Sequence, residues 1–247
     1  MPISPKFNSI HQKDFEVNHS QIQPNGFLKI TELFNFFQLT AAEHAELGGI
    51  SFVDLQVHDQ AWVLSKMRVE IKKLPKFHDK ISVKTWIVDL ENSRSLRGMN
   101  VFYNNEVIAS TETLWVILNT KKRRPETLAL PHTHFEKYPQ NFANLKRVET
   151  IVFEDKLKVF QNKKVVFSDL DLVNHVNHIK YLEWCLDALP IDILLKNKIK
   201  SLDLNFFSEL VFDDDYEIKT TVLNANRLFL ISKNNIKCFG MLICVDS

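Results

Sequence analysis

The spacing of apolar residues divides the first half of the chain into one helix and several strands. An apolar stripe at offsets of three and four residues, from Ile30 to Ala45, predicts a long helix. Between positions 62 and 87 the period changes to two, which is typical of half-buried antiparallel strands. Two further strand-like runs, 97–103 and 107–119, flank the turn signal Asn104-Asn105. We therefore expect a long helix followed by four antiparallel strands.

The second half of the chain repeats this order of elements. A strand over about 153–167 leads into a second helical stripe over 176–189, and four alternating segments follow at 202–206, 216–223, 228–232 and 238–245. Strand, long helix and antiparallel strands, twice over, is the order of an α+β fold with two tandem hotdog domains, each a long central helix wrapped by an antiparallel sheet. Period alone leaves other α+β folds open.

A segment between the two halves has the composition of a linker. Residues from Lys121 to about Arg147 are rich in charge, proline and histidine and lack a sustained period. We predict an N-terminal hotdog domain over 1–130, a linker over 131–148 and a C-terminal hotdog domain over 149–247.

Composition excludes several classes of protein. The 247 residues include only 5 glycines, so neither a Gly-rich phosphate loop nor a Rossmann fingerprint can be assembled from them. The 31 basic and 30 acidic side chains give a net charge of +1, which argues against nucleic acid as a partner. Three cysteines without CxxC spacing favour a reducing compartment and indicate no zinc site. Without an apolar run of about 20 residues or a secretory signal pattern, we expect no membrane span and a cytoplasmic location.

The segment 168–184, SDLDLVNHVNHIKYLEW, concentrates polar chemistry at the predicted start of the second helix. Unpaired backbone N–H groups and the positive end of the helix dipole favour developing negative charge there. A structural interpretation competes with this functional one, because Asp171 or Asn174 could cap the helix while His175 and His178 lie on the surface. The chemistry of the segment alone leaves both open.

The same segment resembles the acyl-acyl carrier protein thioesterase family of plant plastids and bacteria, whose signature runs close to SDxDxNxHVNNxxYxxW. Residues 62–71, Thr85-Trp86 and 114–120 are similar to the family's amino-terminal domain, so the resemblance covers most of the chain. It implies a double hotdog fold, an acyl-chain tunnel in the N-terminal domain and catalytic residues in the C-terminal domain. The implied reaction is hydrolysis of acyl-acyl carrier protein to a free fatty acid and the carrier protein.

The resemblance carries over to site residues unevenly. Asp171 and His175 match the family's Asp and His, and Glu209 matches its catalytic Glu, which lies on a strand. The family's Asn falls on Val173, with Asn174 one residue later. Either Asn174 has taken over the polar role through a local shift, or the site lacks that amide. We favour takeover, because an apolar side chain beside a catalytic carboxylate would leave a lone pair unsatisfied.

The chain departs from plant members in a way that bears on mechanism. Plant members have a Cys directly after the catalytic Glu, and here that position is Leu210. A thiolate nucleophile is therefore not expected, and the cysteines at 185, 238 and 244 are predicted to be core residues. We expect direct hydrolysis, in which Glu209 or Asp171 activates a water and helix-terminal amides hold the oxyanion. The resemblance favours Glu209 as the base, with His175 in its network. No cofactor and no metal are predicted.

The partner implied by the resemblance is an acidic acyl carrier protein with its acyl chain on a phosphopantetheine arm. The basic run Lys121-Lys122-Arg123-Arg124 is a candidate contact for it, although such a run is also typical of a solvated turn. A homodimer is left open. Two alternative functions also stay open at this point: an acyl-CoA thioesterase, and a non-catalytic acyl-binding hotdog protein.

Overall fold

The computed structural model describes residues 3–153 and 157–246. Contacts within the chain divide it into two compact units, the first running to residue 148 and the second beginning at residue 149. In the part of the chain that is described, no helix has the length and apolar character needed to cross a bilayer.

The first unit contains a long helix and an antiparallel sheet. Its sheet has the strand order β1-β3-β4-β5-β2, with β6 paired to β5. The helix α1 packs against β1 and β3. The elements are β1 (Ile10–Glu16), α1 (Ile30–Leu47), α2 (Phe52–Gln56), β2 (Gln60–Ile71), β3 (Lys80–Glu91), β4 (Arg94–Tyr103), β5 (Glu106–Asn119) and β6 (Arg124–Pro125). The predicted helix and four strands are confirmed, and β1 and the two-residue β6 are additional strands.

The second unit repeats this arrangement with a shorter helix. Its strands follow the order β8-β11-β10-β9-β7, all antiparallel, and α3 packs against β11. Leu182 of α3 and three strand residues, Leu202, Phe229 and Phe239, are fully buried and form its core. The elements are β7 (Lys158–Lys164), α3 (His178–Asp187), α4 (Ile191–Leu195), β8 (Ile199–Phe206), β9 (Asp215–Leu223), β10 (Asn226–Lys233) and β11 (Ile236–Val245).

The second helix is shorter than the apolar stripe predicts. Val176 lies before α3 and forms a β-bridge with Leu170, while Asn177 caps the helix by accepting the Ile179 N–H at 3.0 Å. The helix therefore begins at His178, two residues after the predicted start at 176, and His175 lies in the loop before it. The preceding strand is also shorter than the predicted 153–167, and positions 154–156 of that prediction lie outside the described residues.

The segment predicted as a linker, 131–148, packs on the first unit. Phe135 is buried in that unit's core, against a cluster that includes Ile50 and Ile87. Asn144 is also buried: its N–H donates to the Glu112 carboxylate at 3.1 Å. The contacts therefore group this segment with the first unit.

Candidate active site

The loop that leads into the long helix follows the same hydrogen-bonded path in both units. In the first unit the Gln23 N–H donates to the Phe27 carbonyl at 2.8 Å, and in the second the Asp171 N–H donates to the His175 carbonyl at 2.8 Å. Both loops are also tied to a neighbouring segment by one backbone bond, from Leu28 N–H to Pro75 O at 2.8 Å and from Val176 N–H to Leu210 O at 2.9 Å. Lys29 and Asn177 occupy the cap positions of the two helices. The two units can therefore be compared position by position.

This comparison isolates the chemistry of the second unit. The equivalent pairs, first unit then second, are Gln23 and Asp171, Phe27 and His175, Leu74 and Glu209, Pro75 and Leu210, and Leu33 and Tyr181. At the first three pairs, neutral or apolar side chains stand in the first unit where two carboxylates and an imidazole stand in the second. The same backbone frame is stable without these ionisable groups, so the frame alone does not require them.

His175 and Glu209 meet in the second unit. The His175 Nδ1 lies 3.4 Å from the Glu209 Oε1, and the two side chains are 29% and 30% exposed. The resemblance implied that Glu209 lies on a strand, but in the structure it lies beyond the end of β8. His175 forms a backbone β-bridge with Val211, which brings the two loops together. The imidazole and the carboxylate are thus close enough to interact, and both side chains are exposed enough to be reached by a substrate.

Asp171 holds the loop that carries His175. Its Oδ1 accepts the Val173 N–H at 2.9 Å and the His175 N–H at 3.2 Å. In the first unit the corresponding bond to Phe27 N–H comes from the Asn25 side chain, at 3.1 Å. Asn25 is equivalent to Val173. In the second unit the acceptor for this backbone N–H is therefore the Asp171 carboxylate, which lies two residues before Val173. The structure places Asp171 as the group that orients the His175 backbone.

Asn174 has a left-handed backbone. Its φ is +62°, and the equivalent Gly26 has a φ of +79°. Residues with a Cβ are disfavoured in this region by about 1–2 kcal/mol, and asparagine tolerates it better than most. Its side chain is exposed. Conformation by itself therefore accounts for an asparagine at this position.

The first turn of α3 is largely paired. The Ile179 N–H donates to the Asn177 side chain at 3.0 Å and the Lys180 N–H donates to the Asn177 carbonyl at 2.8 Å. The expectation that helix-terminal amides hold an oxyanion therefore finds no free donor at these two positions. His178, at the first helical position, packs edge-on against Phe206, and burial lowers its pKa from 6.5 to about 4 against an opposing effect of Asp171. Its imidazole is thus neutral at pH 7, a property that its sequence context did not reveal.

Two of the three cysteines are core residues. Cys185 and Cys238 are buried, and burial raises the pKa of both thiols. Cys244 is half-buried. Leu210, at the position of the plant cysteine, is fully buried. Within residues 3–153 and 157–246, no group of three or more His, Cys, Asp or Glu is arranged to hold a metal ion.

Exposed apolar side chains lie on the loops that form the site. Phe167 is 83% exposed, Leu172 is 80% exposed and Phe212 is 58% exposed. Large apolar groups left in water near a polar centre are typical of ligand- or partner-binding surfaces. These three residues stand beside the loops of Asp171, His175 and Glu209 in the chain, so they are candidates for contact with an apolar part of a substrate.

Comparison with known proteins gives matches along most of the sequence. A family model described as the acyl-ACP thioesterase N-terminal domain matches residues 8–131, and one described as the C-terminal domain matches residues 154–241. A chloroplastic palmitoyl-acyl carrier protein thioesterase of Arabidopsis thaliana is 24% identical over 256 residues, covering 96% of this chain and 61% of the relative. A chloroplastic dodecanoyl-[acyl-carrier-protein] hydrolase of Cinnamomum camphora is 22% identical, covering 86% of this chain and 59% of the relative. The chain thus spans about three-fifths of the length of these relatives.

Solved structures share the fold. An acyl-ACP thioesterase from Bacteroides thetaiotaomicron superposes with a TM-score of 0.88 at 21% identity, covering 96% of this chain and 98% of that chain. The 12:0-ACP thioesterase from Umbellularia californica superposes with a TM-score of 0.77 at 20% identity, covering 96% of each chain. The predicted α+β fold of two tandem hotdog units is confirmed.

Proposed function

The chain belongs to the acyl-ACP thioesterase family, and from that premise we propose that it hydrolyses acyl-acyl carrier protein to a free fatty acid and the carrier protein. The observation that carries the proposal is the 3.4 Å approach of the His175 imidazole to the Glu209 carboxylate. The first unit has the same loop frame with Phe27 and Leu74 at these positions, so the pair is an addition to the frame.

In the proposed mechanism a water molecule attacks the thioester carbonyl carbon. Glu209 accepts a proton from that water as the C–O bond forms, the C–S bond breaks, and the thiolate of the pantetheine arm leaves and takes the proton from Glu209. A neutral His175 with its proton on Nδ1 would donate to one Glu209 oxygen and so orient the carboxylate that acts as base. Asp171 orients His175 through the backbone. Asn174 provides the left-handed turn of the loop, and its role as a catalytic amide is the alternative.

A second assignment of the base follows from the same geometry. A carboxylate beside Nδ1 stabilises the tautomer in which Nε2 carries the lone pair, so His175 itself could deprotonate the water with Glu209 as its orienting partner. The two assignments differ in the pH at which kcat/KM falls on the acid side, because imidazoles in general bind a proton at higher pH than carboxylates do. We keep Glu209 as the base, and the pH profile decides.

The apolar surface beside the site supports an acyl thioester as the substrate. Phe167, Leu172 and Phe212 would contact a hydrocarbon chain or the pantetheine arm as it reaches the thioester. The acyl-chain tunnel within residues 1–130, implied by the family, is part of this proposal. An acyl-CoA would present the same thioester and arm, so it is the competing substrate.

The carrier protein as a partner is supported by exposed basic residues. All four side chains of the run 121–124 are exposed. Lys121 pairs with Asp59 at 2.9 Å and Lys122 with Glu126 at 3.0 Å, so part of their charge is locally neutralised.

We also propose a cytoplasmic location and a role in fatty acid biosynthesis. Free cysteines support the former, and a homodimer stays a prediction that sedimentation can test.

The experiment compares thiol release from acyl-acyl carrier protein and from acyl-CoA at equal concentration, by wild-type protein and by Glu209→Gln. We expect the carrier-linked substrate to be preferred, and the variant to lose at least about a hundredfold in kcat/KM, the scale of losing a general base. Glu217→Gln is a matched control, because Glu217 belongs to the same unit and pairs with Lys219 on β9. A folded Glu209→Gln protein with wild-type turnover would exclude Glu209 as the base. Absence of turnover by the wild-type protein would favour the acyl-binding alternative.

A further inference from the structure

Tyr181 lies behind the candidate active site and contacts the loop of Glu209. Its hydroxyl oxygen accepts a hydrogen bond from the Leu210 N–H at 3.0 Å. The tyrosine projects from α3 and is buried, with rings of Trp184, Phe206 and Phe239 packed around it. Burial raises the pKa of Tyr181, and the nearby charge of Glu209 adds to that effect. The hydroxyl therefore stays protonated and neutral beside the carboxylate-bearing loop.

Leu210 is held on both sides of its backbone. Its carbonyl accepts the Val176 N–H at 2.9 Å, and its N–H donates to Tyr181 at 3.0 Å. Glu209 directly precedes Leu210, and His175 directly precedes Val176. These two hydrogen bonds thus fix the peptide next to the carboxylate relative to the peptide next to the imidazole.

The first unit separates the two bonds. There the carbonyl bond is retained, from Leu28 N–H to Pro75 O at 2.8 Å. A hydrogen bond equivalent to that between the Leu210 N–H and the Tyr181 hydroxyl cannot form there, because Pro75 has no N–H and Leu33 has no hydroxyl. The carbonyl bond therefore belongs to the fold shared by both units, whereas the hydroxyl-to-amide bond occurs in the unit that carries His175 and Glu209.

We propose that Tyr181 is a positioning residue, whose hydroxyl anchors the Leu210 amide and thereby holds the Glu209 carboxylate against His175. This inference rests on the proposed function for its kinetic consequence and on the structure alone for its geometric one. Without the hydroxyl, the buried Leu210 N–H has no acceptor and the loop moves to find one. Glu209 then spends less time at the distance from His175 that proton transfer needs.

The test is Tyr181→Phe, which keeps the buried ring and removes one oxygen atom. Tyr216→Phe is the matched control, because Tyr216 is a buried tyrosine of the same unit, stacked on Trp184 at 4.4 Å. For Tyr181→Phe we expect kcat to fall by about tenfold or more with KM changed by less than about twofold, since the loss concerns placement of the base and not binding. We expect Tyr216→Phe to change neither constant beyond about twofold. Loss of folded protein would also lower the apparent kcat at unchanged KM, so kcat is calculated per folded protein, with the folded fraction measured by circular dichroism.

A crystal structure of Tyr181→Phe provides a readout that does not depend on activity. We expect the separation between His175 Nδ1 and Glu209 Oε1 to widen from 3.4 Å to beyond about 4 Å, the limit of an ion pair. An unchanged separation, or wild-type kcat in the folded variant, would overturn the inference even if Glu209→Gln is inactive and the proposed function stands. If the wild-type protein hydrolyses no thioester, the proposed function fails while the widened separation still decides the geometric claim.

Discussion

Asn174 can be tested by two substitutions that separate its backbone from its side chain. Asn174→Gly keeps the positive φ and removes the amide, whereas Asn174→Ala removes the amide and forces a Cβ into the left-handed region. The structure assigns the asparagine a conformational role, because its φ is +62° and the equivalent Gly26 has +79°. We therefore expect Asn174→Gly to retain wild-type kcat.

The two variants should differ in stability. A Cβ in the left-handed region costs about 1–2 kcal/mol, of which asparagine already bears part, so Asn174→Ala should destabilise by about 1 kcal/mol. For a chain of this size that corresponds to roughly 2–4 °C in Tm. Asn174→Gly should stay within about 0.5 kcal/mol, since strain relieved in the fold is offset by greater freedom of the unfolded chain. Asn235, with a φ of +63° in the turn between β10 and β11, is the control for the same pair of substitutions away from the site.

The assay measures kcat for thioester hydrolysis and Tm for all four variants. If the Asn174 amide has taken over the role of the family's asparagine, both Asn174 variants should lose about 1–3 kcal/mol of transition-state stabilisation, and their kcat values should fall together. A stable Asn174→Gly protein with a tenfold lower kcat would refute the conformational account. That result would instead support the hypothesis that the Asn174 side chain has taken over the role of the family's asparagine.

Three further predictions concern sulfur, the partner and pH. Simultaneous replacement of the cysteines by alanine should leave hydrolysis largely intact apart from stability losses of a few kcal/mol, and an acyl-cysteine found by mass spectrometry would contradict direct hydrolysis. Neutralising the basic run 121–124 should raise KM for the carrier-linked substrate, more at low salt than at high, without affecting a small thioester; equal effects on both would make the run structural. Because burial lowers the pKa of His178 from 6.5 to about 4, its neutral form stabilises the fold above pH 6.5 and this contribution is lost as the pH falls towards 4. His178→Asn should therefore flatten the fall in unfolding free energy between these pH values. Denaturant titrations at several pH values measure that free energy, and the same pH dependence in the variant as in the wild-type protein would count against the prediction. The cysteines in question are Cys185, Cys238 and Cys244.

Local hydrophobic patterns were sufficient to predict an element where one of its faces is apolar. The stripe of α1 and the alternation of β2 to β5 predicted these elements because burial of one face repeats at 3.6 or 2 residues. The strand β1 was not predicted because its inward positions include two polar residues. His11 stacks on His44 of α1 at 5.7 Å, Lys13 pairs with Glu43, and only Phe15 packs as an apolar residue, on Phe36 at 4.4 Å. Their partners come from α1, so the strand has no hydrophobic alternation of its own.

The start of α3 shows the converse error. Val176 is buried and continues the apolar stripe of the helix, but it lies before the helix and pairs with Leu170 in a backbone β-bridge. A hydrophobic pattern reports that a side chain is buried and not which element buries it. The apolar pattern consequently predicts a helix that begins two residues too early, at 176.

The sequence by itself determined most of the secondary structure, the tandem order of the units and, through family resemblance, the candidate residues Asp171, His175 and Glu209. Tertiary structure decided which of their atoms meet: Nδ1 of His175 with Oε1 of Glu209, the Asp171 carboxylate with backbone amides, and the Tyr181 hydroxyl with Leu210. The physical reason is range. Periodicity reflects burial along one element, whereas these contacts depend on the pairing of segments distant in sequence and on backbone hydrogen bonds that no residue pattern encodes.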